Sequence, residues 1–299
     1  MKHPLSLSDL DDEERALLVP PKIALPTVAL ALTVVAGFVS IGVAAAVGAT
    51  VIGVAVVVQV LLAFAAFTPM HDAAHESVAR RTPLNELVGW TMSLLLMAPF
   101  PAFRLVHLTH HRHTNDPARD PDMWSGGGSI FTWPLRWATQ DLYYYVYYFR
   151  RRAERPRKEV AAVTLGLAAI VAIVLTLVAL GHGTSVLLLW VLPVRVAIVL
   201  LALAFDFIPH HPHDVRSSDD PLRASSILER RWLTPLMLGQ NYHLVHHLYP
   251  GIPFYGYGAA WWALRDKLVA RGAWVRGATV TVNAAAPASW TRTPRRGGA

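Results

Sequence analysis

From Ile23 to Met70 the chain carries no Asp, Glu, Lys, Arg or His. A membrane-spanning helix needs about 20 apolar residues, so this stretch predicts two spans joined by a tight turn near Gly48, in "AVGAT". A second apolar block runs from Val160 to about Pro209 and is divided by "GHGT" at Gly181 to Thr184, which predicts a second pair. Of the 299 residues 54% are hydrophobic and only 16% charged, against roughly 25% charged in an ordinary soluble domain. The expectation is an all-α integral membrane protein with spans at about 24–46, 50–70, 160–180 and 185–209, inside one membrane domain of residues 23–281.

The segment from Leu84 to Phe103 is also apolar, but Pro99 and Pro101 cut it short, so it reads as an interfacial or half-inserted helix. "SLSDLDDEERALL" has neither a basic n-region nor a small-residue cleavage site, so residues 1–22 are expected to persist as a tail. Residues 282–299, rich in Ala, Pro, Thr and Arg, read as disordered. The absence of cysteine excludes disulfides and thiolate metal ligands.

Between Ser77 and Lys158 there are twelve Lys or Arg, including "RRRAERPRK" from Arg150, whereas the expected turns near Gly48 and Gly181 have none. The positive-inside rule puts this loop and both termini in the cytoplasm, for a bacterial protein of the inner membrane. The same loop location explains the sequence pI near 9.9 without nucleic-acid binding. Four spans then place every histidine except His182 and the tail residue His3 near one membrane face. "SGGGS" at Ser125 to Ser129 reads as a flexible joint, and "WPLRWATQDLYYYVYYFRR" as an aromatic, basic stretch anchored at the headgroups, as do Trp261 and Trp262. These interfacial helices would form a cytoplasmic cap over the spans.

Fourteen histidines are present, and eight fall into three boxes. "HDAAH" sets His71 and His75 at i and i+4. "HLTHH" and "HLVHH" set His107, His110, His111 and His243, His246, His247 at i, i+3 and i+4. On a helix those spacings share one face, so each box is a wall of imidazoles. A lone pair of histidines on a surface helix is usually solvated, but three boxes in register call for another cause. Buried hydrogen-bonding histidines fail on number, because each ring would need partners for both nitrogens. Imidazole suits Fe, Zn, Cu and Ni, and eight ligands are too many for one ion, so two metal ions are expected.

With these boxes in place, the sequence resembles the membrane fatty-acid desaturase and hydroxylase superfamily, whose HxxxH, HxxHH and HxxHH pattern it repeats. "HTNDPARDPD", "FDFIPHHPHD" and "LGQNYHLVHHLYPGIPFYGY" are moreover similar to β-carotene 3-hydroxylases of the cyanobacterial type. The resemblance covers roughly Phe67 to Lys267. It implies a di-iron centre held by histidine, O2 as co-substrate, and a ninth ligand, which by position is His210. Asp206, one turn earlier, stands where related desaturases use an asparagine near the metal; it can bond a metal-bound water or orient His210. The tenth ligand position stays open. Asn241 can hydrogen-bond a ligand ring or a metal-bound water, or simply make a turn contact. His113 lies about 60° from the His110 direction and is ranked outside the ligand set, as are His211 and His213 around Pro212. Arg195, within an apolar span, must face the bundle or a carbonyl.

The function expected is O2-dependent hydroxylation of the β-ionone rings of a carotenoid. Acyl-lipid desaturation and carotenoid ketolation are alternatives with the same histidines. The chain shows no nucleotide fingerprint and no cysteine for an iron–sulfur cluster, so electrons are expected from a ferredoxin-like carrier docking on the basic face. A histidine-rich divalent-metal transporter is the non-enzyme alternative. It would need polar groups along a path through the bilayer, and the first two expected spans have almost none.

Overall fold

The computed structural model describes residues 5–277, which leaves His3 and the tail from residue 282 outside the described residues. A short helix, α1 (Asp12–Leu17), opens on a capping box in which Asp11 and Glu14 each accept the other's backbone N–H at 2.8 Å. Two long apolar helices follow, α2 (Leu25–Ala46) and α3 (Ile52–Ala74), joined at Gly48, whose φ of 74° makes the turn. The second runs one turn past the expected limit at residue 70, and that extra turn carries His71. On the outer faces of the pair Leu32, Val39, Val54, Val57 and Leu61 are exposed, as required of helices solvated by lipid.

Two helices follow at nearly a right angle, α4 (Thr82–Leu95) and α5 (Phe100–His113), bent by 102°. The expected single helix from Leu84 to Phe103 therefore breaks. Pro99 caps α5 and takes the chain out of helical geometry before it, and α5 then bears the second histidine box.

The connecting loop holds α6 (Met123–Gly126), α7 (Trp133–Ala138) and α8 (Gln140–Arg150). "SGGGS" begins in a packed turn, with Gly128 and Ser129 exposed. Ser125 is buried, and a Cβ on Gly126 would stand 2.4 Å from the His213 ring, so a glycine is needed for close approach.

The second apolar block is helical from Arg157 to Phe207 apart from one residue, Gly181, at φ 89°. Its first arm is α9 (Arg157–Leu177). The second comprises α10 (Gly183–Val186) and α11 (Leu192–Leu201), with π-turns at Leu187–Val191 and Ala202–Phe207. A continuous helix would separate Glu159 from Arg195 by roughly 50 Å at 1.5 Å per residue. Both nevertheless reach α8, at Tyr148 and Asp141, so the chain turns back at Gly181. Among the described residues α2 and α3 are each long and apolar enough to cross a membrane, as is the stretch Arg157–Phe207, which the turn at Gly181 divides into two arms; α4 and α5 add one more if the pair counts as one broken span.

The remainder closes over one end of the bundle. A two-residue parallel pairing joins β1 (Ile227–Leu228) to β2 (Val275–Arg276), and between them lie α12 (Leu233–Leu236), α13 (His243–Leu248) and α14 (Tyr257–Ala270). This region has its own core of Ile227, Tyr242, Leu244, Ile252, Trp261 and Leu264. The bundle core joins α2, α3, α4, α5 and α11 through Val34, Ala66, Met92, Phe100 and Val194.

Trp261 is not an interfacial anchor. Its side chain is fully buried and its indole N–H donates to Glu229 at 3.0 Å, whereas Trp262 keeps an exposed face beneath the Arg231 guanidinium. Arg195 meets Asp141 with two bonds, at 3.0 and 2.5 Å, which answers the sequence's demand for a partner within the bundle.

Candidate metal centre

All nine histidines picked out as ligands gather where α3, α5, the end of the second apolar arm and α13 meet. They form two groups. His71, His75, His107, His111 and His246 are one, and His110, His210, His243 and His247 the other; within each, one nitrogen per ring lies within 4.8 Å of all the rest. The groups cut across the boxes, since box two and box three contribute to both. His113 and His182 fall in neither group, and His211 and His213 stack beside Phe207.

Within the first group His71 Nε2 lies 2.9 Å from His246 Nε2, which is also 2.8 Å from His111 Nε2; His75 and His107 approach at 2.7 Å. In the second, His243 Nε2 is 3.0 Å from His210 Nε2 and 3.1 Å from His247 Nε2, and His110 Nε2 is 3.3 Å from His247 Nε2. One proton on His246 Nε2 cannot serve two neighbours.

The outer nitrogens settle the tautomers. His210 Nδ1 faces the Ala224 carbonyl at 2.9 Å, and a carbonyl only accepts, so Nδ1 carries the hydrogen and Nε2 presents a bare lone pair. His110 Nδ1 faces Asp120 at 2.9 Å and Asp122 at 3.2 Å, so that nitrogen carries a hydrogen as well. His246 Nδ1 meets the Tyr257 hydroxyl at 2.9 Å. Lone pairs thus converge without enough protons between them, an arrangement that a cation relieves. Imidazole–metal bonds of about 2.1 Å put neighbouring ligand nitrogens about 3.0–3.4 Å apart, close to the spacings observed. The residues fit a pair of metal ions. Burial pushes His243 down to about 3, which keeps it neutral and able to ligate at pH 7.

The sequence reading missed the groups that hold these rings. Asp120 also accepts the backbone N–H groups of Asn115 (2.7 Å) and Asp122 (2.9 Å). Asp72, between the two histidines of box one, accepts the Thr27 hydroxyl at 2.8 Å and the Phe254 N–H at 3.2 Å, and so ties α2 and the chain after box three to His71. The signal available was Asp72 inside box one and Asp116, Asp120 and Asp122 after box two, in a chain with few charges.

Asp206 does not orient His210, a task the Ala224 carbonyl performs. Its carboxylate lies 3.4 Å from the Tyr144 hydroxyl, which donates its stronger bond to Asp122 at 2.6 Å. Burial raises the Tyr144 phenol well above its ordinary value, so it remains a donor. Asn241 is buried and donates to the Leu228 carbonyl at 3.2 Å, a turn contact.

An apolar cleft runs from the bundle toward the histidines, walled by Met70, Leu96, Phe103, Ile198, Leu201 and Tyr145. It shares Phe67, Phe103, Tyr144 and Asp206 with a cavity of about 320 Å³ bounded by His71, His107, His110 and His243. Tyr144 and Tyr145, assigned to the headgroups by the sequence reading, instead point inward; the Tyr145 hydroxyl donates to the Met97 carbonyl at 2.8 Å. Composition concealed this, because α8 sends Asp141, Tyr144 and Tyr145 to the cleft while Tyr143, Tyr147 and Arg150 line the outer surface.

Known proteins resemble this chain over about two thirds of its length. It is 28% identical over 218 residues to dihydrorhizobitoxine desaturase of Bradyrhizobium elkanii, covering 63% of this chain and 60% of that one. It is 29% identical over 203 residues to a beta-carotene ketolase of Paracoccus sp., covering 66% and 71%. It is 28% identical over 240 residues to the sn-1 oleoyl-lipid 12-desaturase of Synechocystis sp., covering 68% and 65%. The matches thus span between 60% and 71% of these relatives' lengths. These relatives are desaturases and a ketolase, which favours the two alternatives over the hydroxylase expected first. The sequence model described as Fatty acid desaturase matches residues 43–278 and so takes in all three boxes, both histidine groups and the cleft: the chain belongs to the fatty acid desaturase family.

Proposed function

We propose that the protein oxidises C–H bonds of a lipophilic substrate with O2, using two iron ions, one held by His71, His75, His107, His111 and His246 and the other by His110, His210, His243 and His247. Bound there, the metals would supply reductive activation of O2. The observation that carries the reading is the apolar cleft that shares four wall residues with the histidine-lined cavity. Phe67 and Phe103 narrow the junction and keep water from the reacting end, and Tyr144 and Asp206 offer the few polar contacts there. The cleft walls place a substrate's C–H bond by shape. Hydroxylation balances as R–H + O2 + 2e⁻ + 2H⁺ → R–OH + H2O, so two electrons must come from another protein.

The substrate class we assign is a carotenoid, oxidised on its terminal ring. The similarity of the segments around His210 and box three to carotenoid hydroxylases supports this, as does the likeness to a beta-carotene ketolase. A hydroxyl or, by repeated oxidation of one carbon, a ketone is the product. Acyl-chain desaturation is the second reading, favoured by the likeness to an oleoyl-lipid desaturase. Membership in the desaturase family removes the metal-transporter reading.

We further place four spans in a bacterial inner membrane, with the termini and the metal centre cytoplasmic, on the asymmetry of Lys and Arg between the long loop and the two turns. Expression in bacteria that accumulate β-carotene, with chromatography and mass spectrometry of pigments and acyl chains, tests the substrate. Hydroxy- or keto-carotenoids are expected; unchanged pigments with new double bonds in membrane lipids would replace this assignment with the second.

A further inference from the structure

The proposed reaction needs two electrons from outside, and the chain must receive them somewhere on its aqueous surface. Several arginines near the histidines are ion-paired. Arg104 is paired with Glu86, Arg155 with Glu159, Arg119 with Asp116, and Arg265 with Glu229. Arg150 and Arg151, at the end of α8, are ion-paired with no carboxylate among the described residues. With Tyr143, Tyr147, Ala118 and Glu154 they line a surface hollow of about 780 Å³. The Arg151 guanidinium lies 3.7 Å over the Tyr147 ring.

Beneath this hollow a short bonded route leads inward. Tyr147, only 6% exposed, donates its hydroxyl to the Arg119 carbonyl at 3.0 Å. The next residue is Asp120, whose carboxylate takes His110 Nδ1 at 2.9 Å, and His110 Nε2 faces the second histidine group. Two hydrogen bonds and one stretch of backbone thus join the floor of a cationic hollow to a ligand ring. The Tyr143 ring, in the same wall, stacks on Trp124 at 4.6 Å, two residues beyond Asp122, which also contacts His110.

We infer that the Arg150–Arg151 hollow is the docking site of an acidic one-electron carrier protein, seated over Tyr147. The inference rests on the proposed oxidase reading for its need of electrons. Two successive dockings each deliver one electron, the carrier is oxidised each time, and the protons come from water. Arg150 and the ring-stacked Arg151 outnumber Glu154 at the rim, and this positive excess steers an acidic partner and sets its approach.

The test uses the full-length, iron-loaded protein in nanodiscs of phosphatidylcholine, with an acidic [2Fe–2S] ferredoxin held reduced by its NADPH reductase. Stopped-flow absorbance follows reduction of the protein's iron, independently of turnover. The double variant Arg150→Glu/Arg151→Glu should lower the second-order rate at low salt by about 10- to 100-fold and flatten its salt dependence. Reduction by dithionite should proceed at the wild-type rate and so report an intact centre. Arg216→Glu/Arg223→Glu, at two exposed arginines, makes the same change in net charge and should leave the carrier rate within about twofold. Equal losses in the two double variants would overturn the proposal. So would a loss confined to nanodiscs containing phosphatidylglycerol, which would mark the hollow as an anionic-lipid site. If reduced protein and O2 oxidise no lipophilic substrate, the oxidase reading falls, while the docking measurement stands or falls separately.

Discussion

Removing the Asp120 carboxylate should empty one histidine group before the other. Asp120 accepts three bonds, from His110 Nδ1 and from the backbone N–H groups of Asn115 and Asp122, and is only 5% exposed. In Asp120→Ala each stranded N–H costs about 1–3 kcal/mol of stability. The freed His110 ring loses its fixed tautomer, and lost partners of metal-bound histidines typically lower metal affinity 10- to 100-fold, about 1.4–2.8 kcal/mol at 1.4 per decade. Asp122, 3.2 Å from the same nitrogen, can take over part of the bond, so the lower end of that range is expected. Asp120→Asn keeps the volume and one acceptor oxygen and should fall between wild type and Ala. For contrast, Tyr257→Phe deletes a neutral bond to His246 in the other group, worth about 0.5–1.5 kcal/mol or roughly 2- to 13-fold. Chelator titration with elemental analysis, and Mössbauer spectra of enriched samples to tell the two irons apart, reads the order of loss. The Ala variant should release the iron of the four-histidine group at a lower chelator concentration, with the other unmoved; Tyr257→Phe should reverse the preference. Both irons leaving together at the wild-type concentration in Asp120→Ala would refute the assignment of His110 to a separate group.

Other expectations follow from packing and charge. Ala202→Phe adds a ring to a wall residue that is 2% exposed, so product formation should fall at least about tenfold, as for a misplaced substrate, while two irons are retained; iron loss with unchanged turnover would contradict the position of the cleft. Arg195→Met leaves Asp141 without its partner and should cost about 1–3 kcal/mol, discounted for the one-third exposure of the arginine; adding Asp141→Asn should restore most of it in a thermal melt. Gly126→Ala forces a methyl into the His213 ring and should cost about 1–3 kcal/mol, and a melting curve identical to wild type would show that the turn yields freely.

What the sequence disclosed was whatever repeats at short range. The i, i+3, i+4 spacing of His107, His110 and His111 reports a face because a helix is local, and the charge-free run from Ile23 reports burial in lipid for the same reason. Which nitrogens would meet was not readable: box two sends His110 to one group and His107 and His111 to the other, a division fixed by the crossing of α5 with α3 and α13. Asp120 and Tyr144 escaped notice because their partners lie in other elements. Composition misled wherever an aromatic side chain had two roles open to it, as with Trp261, packed beneath Glu229, and Tyr145, turned into the cleft.

Because each histidine group takes rings from widely separated stretches of chain, His71 meeting His246 across 175 residues, neither group can be completed while the ribosome is still adding box three. Metal insertion is therefore an event in the life of the finished chain. Metal binding that needs the folded arrangement adds its free energy to folding, and ions bound there would act as rivets among α3, α5, the end of the second apolar arm and α13. A cell short of iron is accordingly expected to hold little of this protein, because molecules left without rivets open more often and are degraded, and its abundance would follow the metal supply more closely than its messenger RNA.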